Sequence, residues 1–338
     1  MQLDGERVRA LGYTEVVGTL SPGDRVLLNV SALQRGLGTG GMALVVAAPD
    51  ALPADPEPQP GHIVKARYTP LQQMVLAVDE QEAPTHELLA SADDLGGMPV
   101  VVADLHSALP AVVAGVRAER PHTRVAYVWT DSAALPAAFS RAVAGLREAG
   151  WLASCITAGQ AYGGDLEAVT VHTALLAARH VVGADVTVVA QGPGNAGTGT
   201  PWGFSGVAIG EAMNAAEVLG GRPVGALRVS EGDPRGRHQG LSHHSTTAYG
   251  RVFRGRGSVV GLAGGTGVDD QVREQAQAMV ETALGELTLV ELEPAGLLDT
   301  LRTSPVGLST MGRGLDADPA AFLYSAAAGR YAARLLQE

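Results

Sequence analysis

Residues 99–110, PVVVADLHSALP, and residues 124–136, RVAYVWTDSAALP, decide the fold class. Each stretch has an apolar run, an Asp at its carboxyl end, then small residues leading into Ala-Leu-Pro. A run apolar at every position fits a strand covered on both faces. Proline suits the first turn of a helix, where its missing N–H is not needed. Strand, loop and helix therefore alternate from residue 99 onward. Further candidate strands are 152–157, 186–190, 224–229, 258–263 and 287–292, with Ala-rich segments of helical spacing between them. Such alternation implies parallel pairing through right-handed crossovers.

Upstream the pattern differs. Short Val- and Leu-rich runs at 7–10, 15–20, 25–30 and 43–48 are broken by turns such as Ser21-Pro22-Gly23-Asp24, and they read as strands. Residues 49–61, PDALPADPEPQPG, hold five prolines and read as a stiff exposed loop. Two more strands are expected at 62–68 and 74–79. The expected architecture is an α/β fold. A small β-barrel-like domain at 1–85 precedes a domain at 98–338 in which a parallel sheet is layered with helices.

The chain has 338 residues, enough for two domains. Hydrophobic residues make up 46% and charged residues 17%, the balance of a packed globular protein. Aromatics are only 4%, so Ala, Val and Leu fill the core. A formal net charge of −11 repels nucleic-acid phosphates and anionic lipid, so neither is expected as a partner. Lys65 is the only lysine. An anion site must therefore use arginine, histidine or backbone N–H groups. The single cysteine, Cys155, excludes an intrachain disulfide and fits a reducing compartment. The N-terminus lacks a signal-like apolar core, and no run approaches the ~18 apolar residues of a membrane helix. A cytoplasmic location is expected. The Ala-rich helices allow a homodimer, the commonest oligomer.

The most informative loop is 191–206, QGPGNAGTGTPWGFSG, between the strand at 186–190 and a helix expected at 207–219. Gly192, Gly194, Gly197 and Gly199 let successive N–H groups turn toward one point, and the following helix N-terminus adds positive potential. With Asn195 and Thr198 they form a candidate anion cradle. Gly192, Gly194 and Gly197 match G-x-G-x-x-G, but the glycine run is too long, and Pro201 and Gly203 delay the helix. A dinucleotide is therefore not indicated, no Gly-Lys-Ser/Thr is present for a nucleotide P-loop, and no cofactor is identified. The bland reading is a multi-turn loop whose glycines serve only backbone geometry.

Residues 230–245, SEGDPRGRHQGLSHHS, follow the next strand. Arg235 and Arg237 are candidate anion ligands. His243 is a candidate general base, with His244 beside it. No metal site is expected: no HExxH or cysteine pattern occurs, and adjacent side chains on extended backbone point apart. Arg313, between two glycines, is a third candidate anion ligand. Asp104 and Asp131 end their strands and are candidate proton carriers, against the plainer reading that both cap helices. Asp165 reads as a helix N-cap. Because parallel strands end on one edge, the loops holding Asp104, Asp131, Asp165, the glycines and Arg235–His244 are expected to line one crevice.

GHIVKARYTPLQ (61–72), TAGQAYGGDLEAV (157–169), QGPGNAGTGTPWGFSG, SHHSTTAYGRV (242–252) and TMGRGLDADP (310–319) together resemble an uncharacterised bacterial family, a domain of unknown function spanning nearly the whole chain. The resemblance implies a cytoplasmic bacterial protein with no assigned activity. From the residues alone, two functions fit. One is an enzyme acting on a small phosphorylated or carboxylated metabolite. The other is a non-catalytic sensor or partner-binding protein using the same crevice.

Overall fold

In the computed structural model the described residues are 1–336, except 4, 38, 39 and 56. The proline loop 49–61 thus includes one residue that lies outside the described residues. The chain divides into two compact units, Met1–Pro60 with Ala66–Gln73, and Gly61–Lys65 with Met74–Glu338.

The first unit is built of short strands. Gln2–Leu3 pairs antiparallel with Glu6–Arg7. Ala43–Ala47 lies between Ala10–Leu11, parallel to it, and Leu27–Asn29, antiparallel. The run expected as a strand at 15–20 instead forms the helical turn Thr14–Val17, stopped by Gly18 at φ +77°. A short apolar run does not by itself distinguish one turn of helix from a strand.

The second unit holds one sheet of eight strands: β1 Pro99–Ala103, β2 Val125–Thr130, β3 Ser154–Ala158, β4 Leu166–Ala168, β5 Val186–Gln191, β6 Arg222–Ala226, β7 Arg256–Leu262 and β8 Glu286–Leu292. Their order is β4-β3-β2-β5-β1-β6-β7-β8, and every pairing is parallel. β1, β3 and β5 are buried along their whole length, β1 as its apolar composition requires, β3 and β5 with Ser154, Thr157, Thr187 and Gln191 buried among apolar residues. Edge strand β4 occupies residues read from sequence as the start of a helix. That helix, Val171–Leu176, begins later, capped by Thr170, whose side chain accepts from Thr173 N.

Helices cover the sheet. α1 (Leu109–Glu119) packs against the C-terminal helix Pro319–Leu335 at glycine contacts. A Cβ on Gly115 would lie 1.8 Å from Ala326 O, and one on Gly329 would lie 1.9 Å from Val112 O. Only glycine permits so close an approach of two backbones. No helix among the described residues is long and apolar enough to cross a membrane.

The strand order positions the site. From β1 the chain moves outward through β2, β3 and β4, returns to insert β5 beside β1, then moves the other way through β6, β7 and β8. Neighbours β1 and β6 therefore send their connections in opposite directions. This leaves a crevice beyond their carboxyl ends, where open α/β sheets bind ligands.

Candidate functional site

Asp104 follows β1 and is almost fully buried at that crevice. It caps no helix: α1 starts after Ala108 without a side-chain cap. Its Oδ2 lies 3.1 Å from Arg228 Nη1 and 2.8 Å from His244 Nδ1. Arg228 Nη1 is also 2.8 Å from that imidazole nitrogen. Burial opposes the carboxylate's charge, but Arg228 and His244 outweigh it and hold Asp104 below its ordinary pKa. An ionised carboxylate only accepts. With Nδ1–H, His244 donates to that carboxylate; with the proton on Nε2, its Nδ1 accepts from Arg228 Nη1 instead.

His243 and His244 lie not on extended backbone but on the helical turn His243–Thr247, capped by Ser242, whose Oγ accepts from His244 N. The turn brings both rings together with His238, at centroid distances of 4.5 Å (His243–His244), 5.1 Å (His238–His243) and 5.0 Å (His238–His244). This corrects the expectation that the adjacent imidazoles diverge. His238 Nδ1 lies 2.7 Å from Ser242 Oγ, and His243 Nε2 is buried without a hydrogen-bond partner. Burial, then Arg228, Arg235 and His244, push His238 down to about 3. Burial, then His244 and Arg237, lower His243. Both shifts favour the neutral form of His238 and of His243.

The glycine loop lies on the same edge. Gln191 Nε2 donates to Asp104 O at 2.8 Å, and Ser205 Oγ donates to Gln191 Oε1 at 2.9 Å. Asn195 Oδ1 lies 3.0 Å from the same hydroxyl and competes for its one proton. Thr198 Oγ1 pairs with Thr200 Oγ1 at 3.0 Å. Thr247 Oγ1 donates to Pro201 O at 2.9 Å, and Arg251 stacks over Trp202 at 4.3 Å, fastening the loop tip to the histidine-bearing segment. Phe204 stacks on His244 at 3.8 Å. Gly192 is required by close packing, since a Cβ there would lie 2.3 Å from Ala134 O. Gly194 is required by its φ of +100°, with nothing near its Cβ position. Among the described residues, the amides of Asn195, Gly197 and Gly199 donate to no protein group.

Asn195, Gly197, Gly199, Arg228, Arg235, Arg237 and the three histidines line a cavity of about 120 Å³. The candidate arginines differ in availability. Arg235 forms a two-point pair with Asp233, at 2.9 and 2.8 Å. Arg313 donates to Asp318 at 2.9 Å and approaches Asp233 at 3.4 Å, beside a separate space of only about 30 Å³. Arg237 is exposed, makes no hydrogen bond or ion pair among the described residues, and lies 3.7 Å from the Cβ position of Gly199.

Two of the expected carboxylates stand apart. Asp131 accepts from Gln160 N at 2.8 Å, in the loop after β3. Asp165 is not an N-cap: it accepts from Cys155 N at 2.7 Å and pairs with Arg147, so it lies toward the amino half of β3. The expected single crevice therefore gathers Asp104, the glycine loop and the histidines, but neither Asp131 nor Asp165 lines their cavity. Cys155 is buried, and burial pushes its thiol up to about 12, too high for a nucleophile. Sequence reading missed Arg228 and His238. Arg228 stood inside an expected strand, and His238 was one polar residue in a polar loop.

A family model described as a protein of unknown function (DUF3866) matches residues 9–329. No curated protein and no solved structure matches the chain.

Proposed function

The chain belongs to the DUF3866 family, and we propose that it is an enzyme acting on a small phosphorylated or carboxylated metabolite held in this cavity. The observation that carries the reading is Arg237, a guanidinium without an ion-pair partner among the described residues, set beside glycine-loop amides that are also free. Free N–H groups and an unpaired arginine together suit an anion. About 120 Å³ is the room of roughly four waters, which suits a phosphate or carboxylate group rather than a whole large ligand. The chemical groups lie alongside. Asp104 engages His244 at Nδ1 and leaves Nε2 as that ring's free nitrogen, an arrangement that supports proton handling or ion binding.

Inorganic phosphate and a panel of small phosphorylated and carboxylated compounds test the anion site by calorimetric titration of the full chain. The expected result is binding of at least one class, weakened tenfold or more in Arg237→Ala. No binding by any of them, or equal binding by the variant, overturns the anion site. Turnover of a bound compound that is lost in His244→Gln, a variant retaining the anion, distinguishes the enzyme from a pure binder.

A further inference from the structure

We infer that His238, His243 and His244 form a site for a divalent transition-metal ion of the zinc class. One ring nitrogen of each residue lies within 4.8 Å of those of the other two. The rings are already oriented as metal-binding imidazoles usually are. Such a ring donates its other N–H to a carboxylate, hydroxyl or carbonyl, which fixes the tautomer and turns the free lone pair to the ion. Here Asp104 Oδ2 lies 2.8 Å from His244 Nδ1, and Ser242 Oγ lies 2.7 Å from His238 Nδ1. Both leave Nε2 free. His243 Nε2 is a buried polar atom with no hydrogen-bond partner, and burying such an atom unsatisfied is costly. A single ion can be shared by one nitrogen from each of the three rings.

The dimensions allow it. Zinc–nitrogen bonds of about 2.1 Å in a tetrahedral set place the nitrogens roughly 3.4 Å apart. The rings therefore need to close by at most about 1.4 Å from their separation of 4.8 Å or less. Local charge does not forbid a cation, because Arg228 and Arg235 are matched by Asp104 and Asp233, which leaves exposed Arg237 unmatched among the described residues. Three imidazoles leave a fourth position open, as in metal sites that bind water or substrate. Gly197, Gly199 and Arg237 line the same cavity, so an anionic ligand is the natural fourth donor. A second cluster of possible ligands, His62, Glu80 and Glu82, has no such preparation: Glu80 already accepts from the amides of His62 and Ala77. The inference shares the cavity of the anion reading but stands without it, since ion binding is measured with no anion ligand present.

The test uses the full chain, stripped with a chelator and titrated with Zn²⁺ alone and, separately, with Co²⁺. One equivalent of Zn²⁺ per chain is expected, and the Co²⁺ form should show the visible bands of a tetrahedral nitrogen site. His243→Ala and His238→Gln should each weaken Zn²⁺ binding a hundredfold or more. Asp104→Asn should weaken it about 10–100-fold, by loosening His244. Arg237→Ala should bind Zn²⁺ normally while losing phosphate, so the ion site and the anion site fail separately. No stoichiometric uptake by the unaltered chain overturns the proposal, whatever the variants do. So does uptake that His243→Ala and His238→Gln, still folded by circular dichroism, leave unchanged.

Discussion

Two polar clusters lie at the carboxyl edge of one sheet, and they are finished differently. Beside β3 and β4, Lys65 is fully buried and donates to Thr157 O at 2.9 Å, Ala161 O at 2.8 Å and Glu167 Oε2 at 2.7 Å. Glu167 also accepts from Thr157 Oγ1 and Gly163 N, each at 2.7 Å. Every proton of the ammonium and both oxygens of the carboxylate are used. Between β1 and β6, Asp104 and Arg228 neutralise each other, yet His243 Nε2, three loop amides and Arg237 have no hydrogen-bond or ion-pair partner among the described residues. A closed set of hydrogen bonds holds the fold. An open one, lining a cavity at the switch point of strand order, is the place where the proposed ligand would supply the missing contacts.

The largest effect is expected in the closed cluster. Lys65→Ala leaves Glu167 and two carbonyls buried without their donor and should cost about 3–5 kcal/mol in denaturant unfolding. Lys65→Met combined with Glu167→Gln should recover much of that loss. A cost below about 1 kcal/mol for Lys65→Ala would erase the distinction between the clusters.

Next comes His106, which is buried and uses both ring nitrogens, at 3.0 Å from Tyr127 Oη and 2.7 Å from Ser140 Oγ. Burial pushes it from 6.5 down to about 4. The unfolded chain therefore takes up a proton that the folded chain refuses. The resulting stability is complete above pH 6.5 and is lost as pH falls from there through 4, by about 3 kcal/mol in all. Unfolding free energies at pH 7.5 and 4.5 measure it, and His106→Gln should show the smaller difference. Equal pH dependence in both proteins would place the titrating group elsewhere.

Within the glycine loop the same contrast recurs on a smaller scale. Gly192→Ala drives a methyl into Ala134 O and the Trp129 ring, at 2.3 and 2.5 Å, and should cost about 1–3 kcal/mol. Arg237→Ala should change stability by no more than ~0.5 kcal/mol, because nothing in the fold depends on it. Thermal unfolding of the two variants side by side checks both expectations. A large loss for Arg237→Ala would turn the open cluster into another structural one.

The sequence by itself determined the alternation of strand and helix, the parallel sheet, and the edge on which the glycine loop and the histidine loop meet. Local periodicity and proline placement carry that information, and strand direction then puts successive loops on one side. Tertiary structure alone decided strand order, and with it which loops are neighbours. Asp104 meets His244 across 140 residues because β5 returns beside β1 and β6 takes the other flank. No local pattern encodes that order, which follows from packing the whole sheet. The same holds for side-chain availability. Arg235 and Arg313 pair with carboxylates two and five residues away, Asp233 and Asp318, but only folding brings Arg313 to Asp233 as well and leaves Arg237 without an ion pair among the described residues. Likewise the sequence His243-His244 places two imidazoles next to each other. The helical turn under them and the return of His238 through the hairpin of Val229–Ser230 and Gly240–Leu241 make them a cluster. Convergence of that kind is a property of backbone geometry in three dimensions.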